Sequence, residues 1–124
     1  MNLKKIAFVS AAIGLVIDFV LVTSVVLNFA WVRTWAAGGQ YTTFPASVRF
    51  MYLFQVGFVL FAAWFLWKIR TGVKSDSDSR FALAVICIYA ISAASQLFSR
   101  SSNERLNVIP AIAILWGFYE LRKP

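Results

Sequence analysis

The chain has 124 residues, of which 60% are hydrophobic, 17% aromatic and only 14% charged. A typical soluble domain carries about 25% charged residues, so this composition excludes an ordinary soluble protein and predicts a membrane protein. The formal net charge is +7, but the basic residues lie at the ends of apolar stretches, which indicates membrane topology rather than nucleic-acid binding.

Four apolar stretches predict membrane-spanning helices at about 6–29, 48–68, 81–99 and 102–121. A helix needs ~20 mostly apolar residues to cross a hydrocarbon core ~30 Å thick. The first two stretches meet that length outright, and the other two meet it with their polar ends included. Because the connections are short, residues 1–124 are predicted to form a single transmembrane domain. Its expected fold is all-α, an antiparallel up-down-up-down four-helix bundle.

The first stretch begins like a secretory signal peptide, since Lys4 and Lys5 precede it. At about 24 residues it exceeds the ~7–15 of a signal's apolar region, which predicts an uncleaved helix; the alternative is a cleaved signal that leaves three spans. Asp18 lies deep in this stretch, where a charged carboxylate costs ~2.5–3.5 kcal/mol to insert. Ser10, Gly14 and Asp18 recur every four residues, so the carboxylate is predicted to face a neighbouring helix.

The later segments carry interface and capping signals. Residues 31–47 are rich in aromatic side chains and are expected to lie in the outer membrane interface. The motif Ser101-x-x-Glu104 predicts a capping box, in which Ser101 accepts from early amides and Glu104 reaches back to the first one. Pro110 falls inside the fourth predicted helix and is expected to bend it, because proline removes an amide donor.

Lysine and arginine counts predict the orientation. Eight lie on the side of the two termini and the 68–80 loop, and four lie on the opposite side. Because cytoplasmic loops carry the excess of basic residues, we expect a multi-pass protein of the plasma (inner) membrane with both termini in the cytoplasm. The two-to-one ratio leaves dual topology open.

Polar side chains recur at similar depths within the stretches, given a helical rise of ~1.5 Å per residue. The residues of this predicted intramembrane cluster are Asp18, Gln55, Gln96 and Asn107. The predicted basic residues at the outer rim are Arg49, Arg100 and Arg105. Together the helices would enclose a polar pocket that is acidic at its base and basic at its mouth.

Three interpretations of this layer stay open. In the first, the cluster fixes how the helices pack, and Asp18 meets a donor from Gln55, Gln96 or an outer arginine. In the second, Asp18 binds a proton or cation, or the arginines clamp an anionic ligand. In the third, Asp18 pairs with another subunit.

The outline of four short spans with an acidic residue in the first is similar to that of the small multidrug-resistance exporters. However, Asp18-Phe19-Val20-Leu21 lacks the Gly-Thr and lysine context that accompanies their glutamate. Fluoride channels have a similar length and span number, but their glycine-rich N-terminal motif is also missing. These departures leave the chain without an assigned family.

The sequence predicts no catalytic residue, metal ligand set or cofactor, since the chain lacks histidine and its lysines lie at span ends. We expect a non-enzymatic accessory or structural subunit of a larger membrane complex. We expect exposed aromatic side chains at Phe58, Phe61, Trp64, Phe65 and Trp67. The alternatives are a small oligomeric transporter or channel that uses Asp18 for proton or ion coupling, and a membrane-embedded inhibitor or immunity protein. The expected partners are the lipid bilayer and either other membrane subunits or a second copy of the chain, not nucleic acid.

Overall fold

The computed structural model describes residues 2–99 and 101–123. Within that part of the chain all regular elements are helical: α1 (Leu3–Val26), α2 (Ala46–Lys68), α3 (Asp76–Leu97), α4 (Ser102–Arg105) and α5 (Val108–Arg122). Helices α1, α2 and α3 are long and apolar enough to cross a membrane. The prediction of an all-α fold is therefore confirmed, and three of the four proposed spans are helices that could cross a membrane.

The fourth predicted span, 102–121, is divided into two helices. Leu106 and Asn107 separate α4 from α5, which has 15 residues. At ~1.5 Å per residue α5 is ~22 Å long, less than the ~30 Å of a hydrocarbon core. Pro110 lies in the first turn of α5, where amides have no partner inside the helix, and the break falls at Leu106 and Asn107, four and three residues before it. In place of the predicted bend within one helix, the structure has a break between two helices just before Pro110.

Both ends of the described chain meet at one end of the molecule, called here the terminal end. Lys4 Nζ donates to the carbonyl oxygens of Glu120 at 3.3 Å and Lys123 at 3.0 Å. Lys123 Nζ lies 3.0 Å from Glu120 Oε1, and this hydrogen bond raises the pKa of the Lys123 ammonium. Hydrogen bonds therefore connect the first turn of α1 to the last turn of α5. The opposite end of the molecule is called the loop end.

Helices α1 and α5 approach closely because small residues face each other. A Cβ added to Gly117 would lie 2.5 Å from the Ala7 carbonyl oxygen. One added to Gly14 would lie 2.8 Å from the Pro110 carbonyl oxygen. Real Cβ atoms do not come so near to backbone, so only glycine fits at either position. The prediction that Gly14 lies on a helix-packing face of α1 is confirmed.

Aromatic residues of α2 divide between core and surface. Phe65 is 1% exposed and stacks on Phe118 of α5 with ring centroids 6.1 Å apart. Phe61, Trp64 and Trp67 are 41%, 60% and 59% exposed. The prediction that Phe65 belongs to an exposed aromatic surface is therefore wrong. An unbroken apolar run carries no polar face to indicate which side turns inward.

The segment 27–45 folds over the loop end as a cap. It contains two 3₁₀ turns, Ala30–Thr34 and Ala37–Gly39. Its apolar residues join the end of α1 in a second buried cluster of Val25, Val32, Ala36 and Phe44. The Asn28 side chain accepts from the Phe44 amide at 3.1 Å and closes the segment on itself. The cap is thus packed onto the helices and forms a roof over the space between them.

Helices α2 and α3 approach each other mainly toward the terminal end. There the Phe65 and Phe81 rings are 6.2 Å apart, and Lys68 Nζ lies 3.0 Å from Asp78 Oδ1. Helix α1 packs against α2 and α5, and α5 packs against α3, whereas the described residues of α2 and α3 share no comparably close backbone contact. The two helices therefore leave a space between them toward the loop end.

Candidate functional site

A cavity of about 380 Å³ lies beneath the cap, between α1, α2, α3 and α5. Its lining includes every residue of the predicted polar cluster: Asp18, Gln55, Gln96 and Asn107. Three further residues with ionisable side chains line it: Tyr52, Tyr89 and Glu104. The structure thus brings together four side chains that are far apart in the sequence and adds three that sequence reasoning did not place in the cluster.

Asp18 is held by α3. Its Oδ2 accepts a hydrogen bond from the Tyr89 hydroxyl at 2.9 Å. Tyr89 is 4% exposed, and its ring lies 5.8 Å from that of Phe58 on α2. Among the described residues the donor to Asp18 is therefore Tyr89, and not Gln55, Gln96, Arg49 or Arg105. The spacing offered a signal, because Tyr89 precedes Gln96 by seven residues, two helical turns on the same face of α3.

Glu104 adds a second carboxylate to the cavity wall. Its Oε2 accepts from the Gly38 amide at 2.9 Å, while its own amide donates to Ser101 Oγ at 3.3 Å. The predicted hydrogen bond to the Ser101 side chain is confirmed. The prediction that the Glu104 side chain reaches back to the start of its own helix is wrong. Glu104 reaches across to the cap because Gly38, at φ 73°, presents an amide there. No local sequence signal connects residues 66 positions apart.

Asn107 ties the start of α5 to the cap. The residue is 9% exposed, and its Nδ2 donates to the Trp35 carbonyl oxygen at 2.9 Å. Nearby, Asn103 Nδ2 donates to Thr34 Oγ1 at 3.0 Å, and the Ser101 hydroxyl donates to the Thr34 carbonyl oxygen. Three polar residues around α4 thus hold the cap over the cavity by hydrogen bonds. Asn107 is one of them and therefore has a structural role.

Backbone amides of the cap meet two side chains of the cavity wall. Ala37, Gly38 and Gly39 have φ values of 51°, 73° and 69° in succession. The Ala37 amide donates to Tyr52 Oη at 3.3 Å, next to the Gly38 amide that donates to Glu104. A non-glycine residue in this region of φ costs ~1–2 kcal/mol, so Ala37 is held there by its surroundings.

Two of the three predicted rim arginines, Arg49 and Arg105, do not line the cavity. Arg49 is exposed, and its Nε donates to the Val26 carbonyl oxygen at 2.8 Å, where it satisfies the C-terminal end of α1. Arg105 is exposed on α4 and does not line the cavity, and Arg100 lies outside the described residues. The predicted clamp on an anionic ligand is therefore not formed by Arg49 and Arg105.

The chemistry of the lining favours a positively charged or hydrogen-bonding ligand. Of the described residues that line the cavity, two are carboxylic acids and none is basic. Gln96 Oε1 is buried and has no hydrogen-bond partner among residues 2–99 and 101–123. Within those residues no group of three or more His, Cys, Asp and Glu side chains is arranged to hold a metal ion. The available acceptors therefore suit a proton or a cation bound by carboxylate oxygen.

Comparison with protein-family models, curated proteins and solved structures gives no match to this chain. Function is accordingly inferred from the cavity and from the charges and helices around it.

Proposed function

We propose that this protein is a small, non-enzymatic membrane transporter or channel in which Asp18 binds the coupling proton or cation. The observation that carries the proposal is the cavity of about 380 Å³ that contains Asp18. Ionisable residues within membrane helices are costly, and those that persist usually mark ion pathways, proton relays or binding sites. Tyr89 is the donor to Oδ2, and Oδ1 has no hydrogen-bond partner in the described part of the chain. A free carboxylate oxygen is therefore available to a proton or a cation.

The proposed topology has four antiparallel crossings with both termini in the cytoplasm. Helices α4 and α5 together extend from residue 102 to 122, which at ~1.5 Å per residue approaches the thickness of the hydrocarbon core. The pairing of the first turn of α1 with the last turn of α5 supports opposite directions for these two helices. The excess of Lys and Arg at the terminal end supports a cytoplasmic location for that end, in the plasma membrane.

Reconstituted flux tests the role of Asp18. The wild-type protein and Asp18→Asn are incorporated into liposomes, and proton movement is followed with an enclosed pH-sensitive dye. Asparagine retains an acceptor for Tyr89 but cannot bind or release a proton, so proton-coupled flux should be abolished while folding is kept. Asp76→Asn is the matched control, because Asp76 is exposed in the first turn of α3. Flux in Asp18→Asn equal to that of the wild type would remove Asp18 from any transport mechanism.

Four helices alone rarely enclose a wide pathway, so the active form proposed here is a homo-oligomer. Cross-linking in native membranes should capture a species of twice the monomer mass. Failure to detect any oligomer in membranes that sustain flux would show that a single chain forms the pathway.

The second candidate is an accessory subunit of a larger membrane complex. The observation that favours it is the exposed face of α2, where Phe61, Trp64 and Trp67 project away from the core. Lipid contact accounts equally well for isolated aromatic side chains in a membrane helix. Purification in mild detergent should therefore recover a partner at a fixed ratio if the candidate is correct. Full transport activity in liposomes that contain this chain alone would exclude it.

A further inference from the structure

A depression of about 560 Å³ lies at the terminal end, between the start of α1 and the residues that follow α2. Its lining includes Lys4, Lys5 and Arg70, and none of its described lining residues is acidic. Lys4 is engaged, since its Nζ donates to two carbonyl oxygens at the end of α5. Lys5 is exposed, and its ammonium makes no hydrogen bond within the described chain. The depression is therefore a cationic site at the level of the membrane surface.

An apolar groove of about 280 Å³ lies next to this depression, along α1 and α2, and shares Phe8 with it. It extends on α1 from Phe8 to Phe19, ~17 Å at ~1.5 Å per residue, which is about the depth of one leaflet. Val16 and Leu60, on its two walls, are 64% and 55% exposed, so the groove is open to lipid. Ala12 and Ala63 line it as well, and their small side chains leave the space between the helices unfilled.

The depression and the groove meet at three residues: Phe8, Trp67 and Arg70. Phe8 lines both the depression and the groove, and its ring meets the Trp67 ring edge-on at 6.1 Å. The Arg70 guanidinium lies over the Trp67 ring, 4.2 Å from its centroid, and its Nη1 donates to the Trp67 carbonyl oxygen at 2.8 Å. This stacking fixes the guanidinium where the apolar groove ends and leaves its other N–H donors available.

We propose that the depression and the groove bind one anionic phospholipid, with its phosphate between Lys5 and Arg70 and one acyl chain along α1 and α2. Charge complementarity supports this occupant, because basic pockets beside membrane helices bind anionic headgroups and arginine matches phosphate oxygens in pairs. Basic residues at a membrane surface also attract anionic lipid diffusely. Here the cationic site adjoins, at Phe8, an apolar groove that is about as long as one leaflet is deep, which suits a single bound lipid. The site does not depend on the transport function proposed above.

Lipid titration of the full chain in mild detergent tests the headgroup half of the site. Dioleoyl phosphatidylglycerol and dioleoyl phosphatidylcholine share their acyl chains, and the bound fraction of each is measured by native mass spectrometry. The wild-type protein should retain phosphatidylglycerol in preference to phosphatidylcholine. Lys5→Gln with Arg70→Gln should weaken phosphatidylglycerol binding about tenfold. Lys74→Gln with Arg80→Gln is the matched control, because it removes two exposed charges outside the depression. An equal loss in both double variants would overturn the site in favour of diffuse attraction.

A second substitution tests the groove without changing charge. Ala63→Phe should fill the groove and lower phosphatidylglycerol binding roughly threefold or more, since acyl-chain contact contributes per buried methylene. Ala84→Phe on α3 is exposed and outside the groove, so binding should stay at the wild-type level. Circular dichroism of each variant establishes that the helices are intact. Wild-type binding by Ala63→Phe would show that no acyl chain occupies the groove and would overturn the proposal.

Discussion

The interface between α1 and α5 and the space between α2 and α3 show two outcomes of helix packing within one small membrane protein. In the first, Gly14 and Gly117 allow backbones to touch, and a Cβ at either position would meet a carbonyl oxygen within 2.8 Å. In the second, the polar residues Gln55 and Gln96 line a cavity instead of a close contact. Because lipid is as apolar as leucine, close packing of small residues is what draws membrane helices together. Between α2 and α3 no glycine of the described residues brings two backbones into contact, and there the helices stand apart and polar groups line the space between them.

The largest expected effect comes from filling the tight interface. Gly117→Leu places a Cβ 2.5 Å from the Ala7 carbonyl oxygen, so α1 and α5 must separate. We expect a loss of about 3 kcal/mol or more in the free energy of unfolding. Reversible denaturation in mixed detergent micelles, followed by circular dichroism, measures it.

Gly57→Leu is the matched control for that variant. An added Cβ at Gly57 meets no atom within 4 Å, and the position is exposed on α2. Its stability should change little, apart from a small gain in helix propensity. Similar stabilities for the two variants would mean that α1 and α5 do not depend on close backbone contact.

The next effect concerns the polar bond between α1 and α3. Tyr89→Phe removes the donor to Asp18 and should destabilise the protein by about 1–2 kcal/mol, because a partly buried carboxylate loses its partner. A double-mutant cycle with Asp18→Ala, which has no acceptor for the Tyr89 hydroxyl, should give a coupling energy of about 0.6–1.7 kcal/mol, between the average and the maximum measured for membrane helices. Plain additivity of the two substitutions would show that the hydrogen bond does not contribute.

A smaller effect is expected at the roof of the cavity. Glu104→Ala removes the acceptor for the Gly38 amide and should cost about 1 kcal/mol, seen as faster amide hydrogen exchange at residues 37–39. Glu104→Gln retains an acceptor oxygen and should exchange almost as slowly as the wild type. Equal exchange in the alanine variant and the wild type would show that the cap is held by its other contacts.

Features that depend on one helix could be predicted from the sequence. The apolar lengths of the first three stretches predicted α1, α2 and α3, because hydropathy over ~20 residues reports directly on membrane crossing. The four-residue spacing of Ser10 and Gly14 predicted the packing face of α1, and similar depths placed Asp18 and Gln96 near each other. Each of these inferences needs only the period and rise of a helix.

Features that depend on contacts between distant segments could not be predicted in this way. Phe65 was assigned to the surface because an apolar run does not reveal which side faces α5. Glu104 was assigned to a local cap, although its partner Gly38 belongs to a segment folded over from the other side of the cavity. At the division of the fourth stretch, Asn107 donates to the Trp35 carbonyl oxygen of the cap, a partner 72 residues away in the sequence. Such tertiary contacts override local patterns, and they form the roof and wall of the candidate site.

The smallest effect is expected from removing a hydrogen bond between α1 and α5. Ser10 Oγ on α1 donates to the Ala113 carbonyl oxygen on α5 at 3.1 Å. That carbonyl also belongs to the α5 backbone ladder, so losing the serine leaves no polar group without a partner. Ser10→Ala should therefore cost only about 0.6 kcal/mol, the average for such bonds between membrane helices.

Ser92→Ala provides the comparison on the open side, since Ser92 lines the cavity and makes no hydrogen bond through its side chain within the described chain. Its free energy of unfolding should stay close to that of the wild type. A loss above about 2 kcal/mol in Ser10→Ala would mean that hydrogen bonding, rather than contact between small residues, holds α1 against α5. A side chain that serves only to bind a ligand contributes little to the free energy of unfolding. A loss of that size in Ser92→Ala would therefore mean that Ser92 makes contacts that stabilise the fold, as residues of the interface between α1 and α5 do.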